Sequence, residues 1–134
     1  MKMPHWLPVF GDPTFRGVCP SEFSDHKTAI GMIKEHQPAL PAILIHPKNE
    51  GKRSGKQADI EKAVGGLNRG ASDIIIPGNP TFVCELKRQD HTQSSWEQGQ
   101  IEYLKNCHEQ GAFVCVALGW QGVIEAIEEW KKGR

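Results

Sequence analysis

Residues 69–90, RGASDIIIPGNPTFVCELKRQD, hold two strand-like runs, Ile-Ile-Ile and Phe-Val-Cys-Glu-Leu-Lys, separated by a Pro-Gly-Asn-Pro break. β-Branched and aromatic runs bounded by Pro, Gly and Asn predict a hairpin. Pairing Ile76 with Phe82 leaves a five-residue turn at residues 77–81 and sets Asp73 opposite Glu85. Side chains alternate across a strand, so Glu85 and Lys87 share one face while Cys84 and Leu86 share the other. Charge therefore collects on one face of strands that are otherwise apolar.

Like charges directly opposite one another on a sheet repel, and burying a carboxylate unpaired is costly. The pattern calls for a cation. Two carboxylates, a backbone carbonyl and several waters suit octahedral Mg²⁺, with ligands at about 2.1 Å and a readiness to bridge to phosphate. Lys87 adds a point charge beside it. Such a set can polarise a phosphodiester, lower the pKa of an attacking water and stabilise the charge that develops. Glu85 and Lys87 alone would fit a solvated strand end equally well; Asp73, at hairpin-compatible spacing, makes the three a candidate catalytic cluster.

Working outward, Ser21 after Pro20 is a helix N-cap, and Phe23, His26, Ile30 and Ile33 recur at helical spacing until Gln37-Pro38. This predicts a helix over 22–36. Residues 42–46, AILIH, read as a short buried strand. Residues 47–57 are polar, glycine-containing and basic, and Ile60, Ala63, Val64 and Leu67 indicate a short helix. Beyond the hairpin, a helix is expected from about Ser95 to Gly111, a buried strand over 112–118 and an amphipathic helix over 121–132, with Val123, Ile127 and Trp130 on one side. Helix, strand, helix, hairpin, helix, strand, helix is the order of an α/β domain with a mixed central sheet between helices. Residues 1–20, with four prolines, form an irregular arm anchored by Trp6, Leu7, Val9, Phe10 and Phe15, and residues 21–134 form the domain.

The totals narrow the function. At 134 residues the chain fits one domain, and sixteen basic residues balance sixteen acidic ones, so a nucleic-acid partner needs a local basic patch. Lys48, Lys52, Arg53 and Lys56 supply one, read either as a solvated loop or as a strap contacting phosphates; Arg69 and Arg88 are further candidates. Cys19, Cys84, Cys107 and Cys115 show no Cys-x-x-Cys spacing, so no zinc is expected. No apolar run approaches a membrane span and MKMPHWLPVF lacks a signal-peptide core, which predicts a soluble, cytoplasmic chain with no membrane partner.

Two further polar residues stand out. Gln100 falls on a helical stripe with Trp96, Leu104 and Cys107, so an amide is placed among core-facing side chains and needs partners. It is either a core-edge amide bonded to backbone or a support for the carboxylate cluster. Gln98 lies two residues away but off the stripe. Glu22, in the first turn of its helix, either serves the helix dipole or reaches the same cluster.

These residues, taken together, resemble the VRR-NUC branch of the PD-(D/E)XK nucleases, whose core is restriction-endonuclease-like. GLNRGASDIII, FVCELK and the Gln of QIEYLKNCHEQG match a glycine-spaced approach to an Asp, a Glu-x-Lys strand end, and a helix Gln eleven residues before a Gly. Gly66, Gly70, Asp73, Glu85, Lys87, Gln100 and Gly111 occupy those positions, and Glu22 that of the first-helix Glu. The likeness spans residues 16–130 and extends to the small stand-alone members of bacteria and their phages. It departs at Ser72, where the family usually has Pro.

The resemblance implies a Mg²⁺- or Mn²⁺-dependent DNA endonuclease in a bacterial or phage-infected cell. Asp73, Glu85 and the Leu86 carbonyl would bind metal, Lys87 would position or activate water, Glu22 would assist the metal or its water, and Gln100 would support the site. It further implies a Holliday-junction-resolvase-like homodimer acting on branched DNA. The alternative from another class is a non-cleaving nucleic-acid-binding or assembly module with a nuclease-like fold.

Overall fold

Pro8 and Gly11 bracket β1 (Val9–Phe10) and Ser21 caps α1 (Glu22–His36) in the computed structural model, which describes residues 1–47 and 70–133. The hairpin is β2 (Ile74–Ile76) and β3 (Phe82–Lys87), followed by α2 (Gln100–Glu109), β4 (Phe113–Leu118) and α3 (Gly119–Lys132). The strands form one mixed sheet in the order β1-β4-β3-β2. Both β1 and β3 run parallel to β4, whereas β2 is antiparallel to β3. Ile76 faces Phe82 and Ile74 faces Cys84, the register that the turn length predicts. No described helix is long and apolar enough to cross a membrane.

Alternation along the strands feeds a core on each side of the sheet. Ile74, Ile76, Cys84, Leu86 and Cys115 pack with Ala29 and Ile33 of α1 and with Val123, Ile127 and Trp130 of α3. On the other side Val83, Val114 and Val116 pack with Leu104 of α2 and Leu7 of the arm. Each fully buried aliphatic side chain contributes about 1.5–3 kcal/mol. Trp130 closes one end, donating from Nε1 to the Pro80 carbonyl at 2.7 Å and packing on Phe82 at a ring distance of 5.3 Å.

Several expectations need correction. Residues 42–46 are not a buried strand: Ile43 and Ile45 are 45% and 48% exposed, and only Ile45 bridges to Ile75. Pro41 sits second in a turn closed by the Ile43 amide on the Leu40 carbonyl, which spends the chain on turning rather than extending. The helix expected from Ser95 begins at Gln100, because Gly99 at φ 89° takes a left-handed conformation just before it; Trp96 therefore lies outside the helix. The arm contributes a true strand, and α3 starts at Gly119, two residues early. On α1 the buried stripe is Asp25, Ala29 and Ile33, leaving Phe23 75% exposed. The short helix expected around 60–67 and Gly66 lie outside the described residues.

One glycine contact determines where the hairpin meets α2. A Cβ at Gly70 would stand 2.0 Å from the Gly99 carbonyl oxygen. Only a residue without a side chain lets the backbone leading to Asp73 pass the start of the helix that carries Gln100.

Candidate active site

Every residue of β3 is buried, including Glu85 at 1% exposure and Lys87 at 2%. Alternation puts both on the α2 side of the sheet, beyond Val83, where an all-apolar strand would simply have continued the core. The Glu85 carboxylate is held at one oxygen: Gln100 donates from Nε2 to Oε1 at 2.9 Å. Glu85 Oε2 is buried and no described group donates to it. Gln100 Oε1 accepts from Lys87 Nζ at 2.9 Å and from the Glu97 amide at 2.9 Å, and since an ammonium only donates, the amide has one possible orientation.

Lys87 is fixed from four sides. Its ammonium donates to the Ser95 carbonyl at 2.8 Å as well as to Gln100, stands 4.0 Å from Glu85 Oε1, and lies 5.3 Å from the centre of the Trp96 ring. Trp96 is anchored in turn by its indole N–H on the Lys2 carbonyl at 2.8 Å, so the arm closes over the lysine. The buried ion pair gains from these extra acceptors, without which its desolvation would outweigh its attraction.

Asp73 precedes β2 and, by continuation of the register, stands opposite Glu85. Its Oδ2 accepts from the Leu86 amide at 2.8 Å. Glu22 arrives from the first turn of α1, where Oε2 accepts from the Ser94 hydroxyl at 2.9 Å. Each of the three carboxylates is thus tethered through one oxygen. Burial pushes the Glu85 carboxyl well above its ordinary range, the Asp73 charge pushes the same way, and Lys87 only partly offsets them. Burial also raises Glu22, opposed by Lys87 and the Ser94 bond and reinforced by Asp73 and Glu97.

A buried carboxylate oxygen without a donor, beside a second carboxylate, can be satisfied by a proton or by a cation. Among the described residues no three His, Cys, Asp or Glu side chains converge tightly enough to enclose an ion alone. The donor set instead fits Mg²⁺, which takes one or two carboxylates and completes its shell with water and phosphate oxygens. Asp73 and Glu85 are the residues placed for this, with Glu22 nearby.

The loop after β3 does the positioning that the sequence did not disclose. Ser94 Oγ accepts from the Arg88 amide at 3.0 Å while donating to Glu22, and Ser95 supplies the lysine's acceptor. Asp90 folds that loop by accepting from the Thr92 amide and hydroxyl, Gln93 Nε2 and the Gly17 amide, bonds that hold its carboxyl far below the usual range. The Asp-x-Thr spacing was its only signal. Arg88 donates from Nη2 to the Cys19 carbonyl at 2.8 Å, which ties strand end to arm. Gln98 is exposed and Gln100 buried. Lys48, Lys52, Arg53, Lys56 and Arg69 lie outside the described residues.

Among solved structures the chain matches a VRR_NUC domain protein with a TM-score of 0.66, covering 88% of this chain and 92% of that one. The two share a fold. Their sequences are 21% identical, so the VRR_NUC likeness is one of architecture: a mixed four-stranded sheet between helices. No family model and no curated protein matches the sequence.

Proposed function

We propose that the chain is a Mg²⁺- or Mn²⁺-dependent endodeoxyribonuclease of the VRR-NUC type, acting on branched DNA as a homodimer. The observation that carries this reading is the fully buried Glu85, with one oxygen unsatisfied, held between Asp73 and Lys87 on a VRR_NUC fold. A buried carboxylate and ammonium, Glu85 and Lys87, beside the half-buried Asp73 are costly to a domain without chemistry, since apolar residues of similar size would pack there at equal or lower cost.

When bound, the metal would supply Lewis acidity and an activated water for phosphodiester hydrolysis. The chain's own groups have separate tasks. Asp73 and Glu85 would hold the ion, with the Leu86 carbonyl beside them. Lys87 presents its ammonium from a fixed position, its remaining donor capacity directed at water or a phosphate oxygen. Gln100 keeps Glu85 and Lys87 in register, so that carboxylate and ammonium cannot collapse onto one another. Glu22 is held by Ser94 at the margin, where it would receive a proton or orient a metal-bound water. Two such sites related by a twofold axis would cut two strands of a junction symmetrically.

The test offers labelled four-way junction, splayed-arm, flap and linear duplex DNA to the protein with Mg²⁺, Mn²⁺ or EDTA, with Glu85→Ala alongside. Cuts near the branch point, lost in EDTA and in the variant, are expected. Binding without cutting under either metal would instead leave a nucleic-acid-binding module of nuclease-like fold.

A further inference from the structure

We infer that the groove beside the carboxylates receives an unpaired DNA nucleotide, its base lying on the exposed ring of Phe23. This rests on the nuclease reading above and specifies which form of DNA the site accepts. Two stripes of α1 have different fates. Asp25, Ala29 and Ile33 turn into the core, whereas Phe23, Lys27, Ile30 and Lys34 form one wall of a groove of about 900 Å³. Asp73 and Gln100 line the same groove, so it is continuous with the site.

A single exposed aromatic means little on its own. Phe23, however, follows Glu22 directly and stands in the groove at 75% exposure. Lys27 and Lys34, one and three turns along the same wall, add two cations. The order along the wall is therefore ring, imidazole, ammonium, aliphatic, ammonium, with Asp73, Glu97, Gln98 and Gln100 among the groove's other lining residues. That order matches a nucleic-acid strand, which offers a base face for the ring, phosphates for the lysines and one phosphate for the carboxylate cluster and its ion. The match requires a base that is not stacked in a duplex, because a paired base has both faces covered by its neighbours. The groove's volume, comparable to that of a small-molecule pocket, accommodates a nucleotide.

The test measures binding by the full chain with Ca²⁺ in place of Mg²⁺, using splayed-arm DNA carrying 2-aminopurine at the first unpaired position and, in parallel, a fully paired duplex. Wild-type protein is expected to quench the probe. Phe23→Ala should abolish the quench and weaken splayed-arm binding roughly 5- to 150-fold, the range of a lost base–aromatic stack, with duplex affinity unchanged. Phe23→Trp should restore both signals and Phe23→Leu neither. Equal losses on both DNAs, no loss on either, or full rescue by leucine would overturn the inference. So would a Phe23→Ala protein that falls from dimer to monomer with its DNA affinity intact, which would assign the ring to a contact between copies. Cleavage in Mg²⁺ scores the enzyme reading separately. Cutting that ignores Phe23 keeps the nuclease and discards the groove assignment, and Phe23-dependent quenching without cutting does the reverse. A wild-type chain that binds neither DNA overturns both.

Discussion

Glu85 is buried at a cost that can be measured without any substrate. A carboxyl whose pKa is higher in the folded chain than in the unfolded one binds more protons when folded, so its contribution to stability is full below about pH 4.5 and is lost as pH rises toward the raised value. In EDTA the wild type should therefore lose thermal stability relative to Glu85→Gln as the pH is raised from 4.5. Adding Mg²⁺ should narrow the gap, because a ligand at a hundred times its Kd stabilises by about 2.7 kcal/mol. A constant difference in Tm across pH would show that Glu85 is not desolvated as described. Ser94 makes a second residue-scale prediction: Ser94→Ala removes an acceptor from the Arg88 amide and a donor from Glu22, and should cost about 1–3 kcal/mol in urea unfolding, with Ser94→Thr close to wild type. That Asp73, Glu85 and Lys87 share one face of the hairpin was legible in the sequence because strand alternation and hairpin spacing are local rules. Ser94 was not, because its role depends on a loop that folds back only once Asp90 has gathered the amides around it.

Elements were read with uneven success, and the failures share a cause. α1 fell where Ser21 and Gln37-Pro38 placed its ends, since capping and stop signals are written in a few adjacent residues. Its facing was misread: Phe23, Ile30 and Ile33 looked like one apolar stripe, yet the sheet lies under Asp25, Ala29 and Ile33. Periodicity identifies a helix more readily than it identifies the side that meets the core. The start of α2 was missed because apolar spacing continues back to Trp96, while the decision belongs to Gly99 and its left-handed backbone. Gly99→Ala should cost about 1–2 kcal/mol for that conformation. Gly70→Ala should cost about 1–3 kcal/mol from overpacking against the Gly99 carbonyl. Because it displaces the approach to Asp73, it should lower cleavage more than its loss of stability explains. Urea titrations run beside cleavage rates at a temperature where both proteins are folded separate the two effects.

At the scale of the whole molecule, zero net charge leaves DNA affinity to local groups. Each phosphate contact contributes about 0.9 to the slope of log affinity against log salt. Lys52→Ala with Arg53→Ala should therefore flatten that slope by about 1.8 if both contact phosphate, and an unchanged slope would return the loop to a solvated role. The arrangement of layers was legible because the order of elements constrains it. The Trp130 contact carries a consequence for biosynthesis. The indole that pins the hairpin turn at Pro80 lies fifty residues downstream of it, and the sheet's inner strand β4 also follows the hairpin. The hairpin that carries Asp73 and Glu85 therefore emerges from the ribosome before the strand and the indole that pack it in place. A nascent chain that already carries all five candidate residues still lacks the helix that completes the core beneath the sheet until α3 is made.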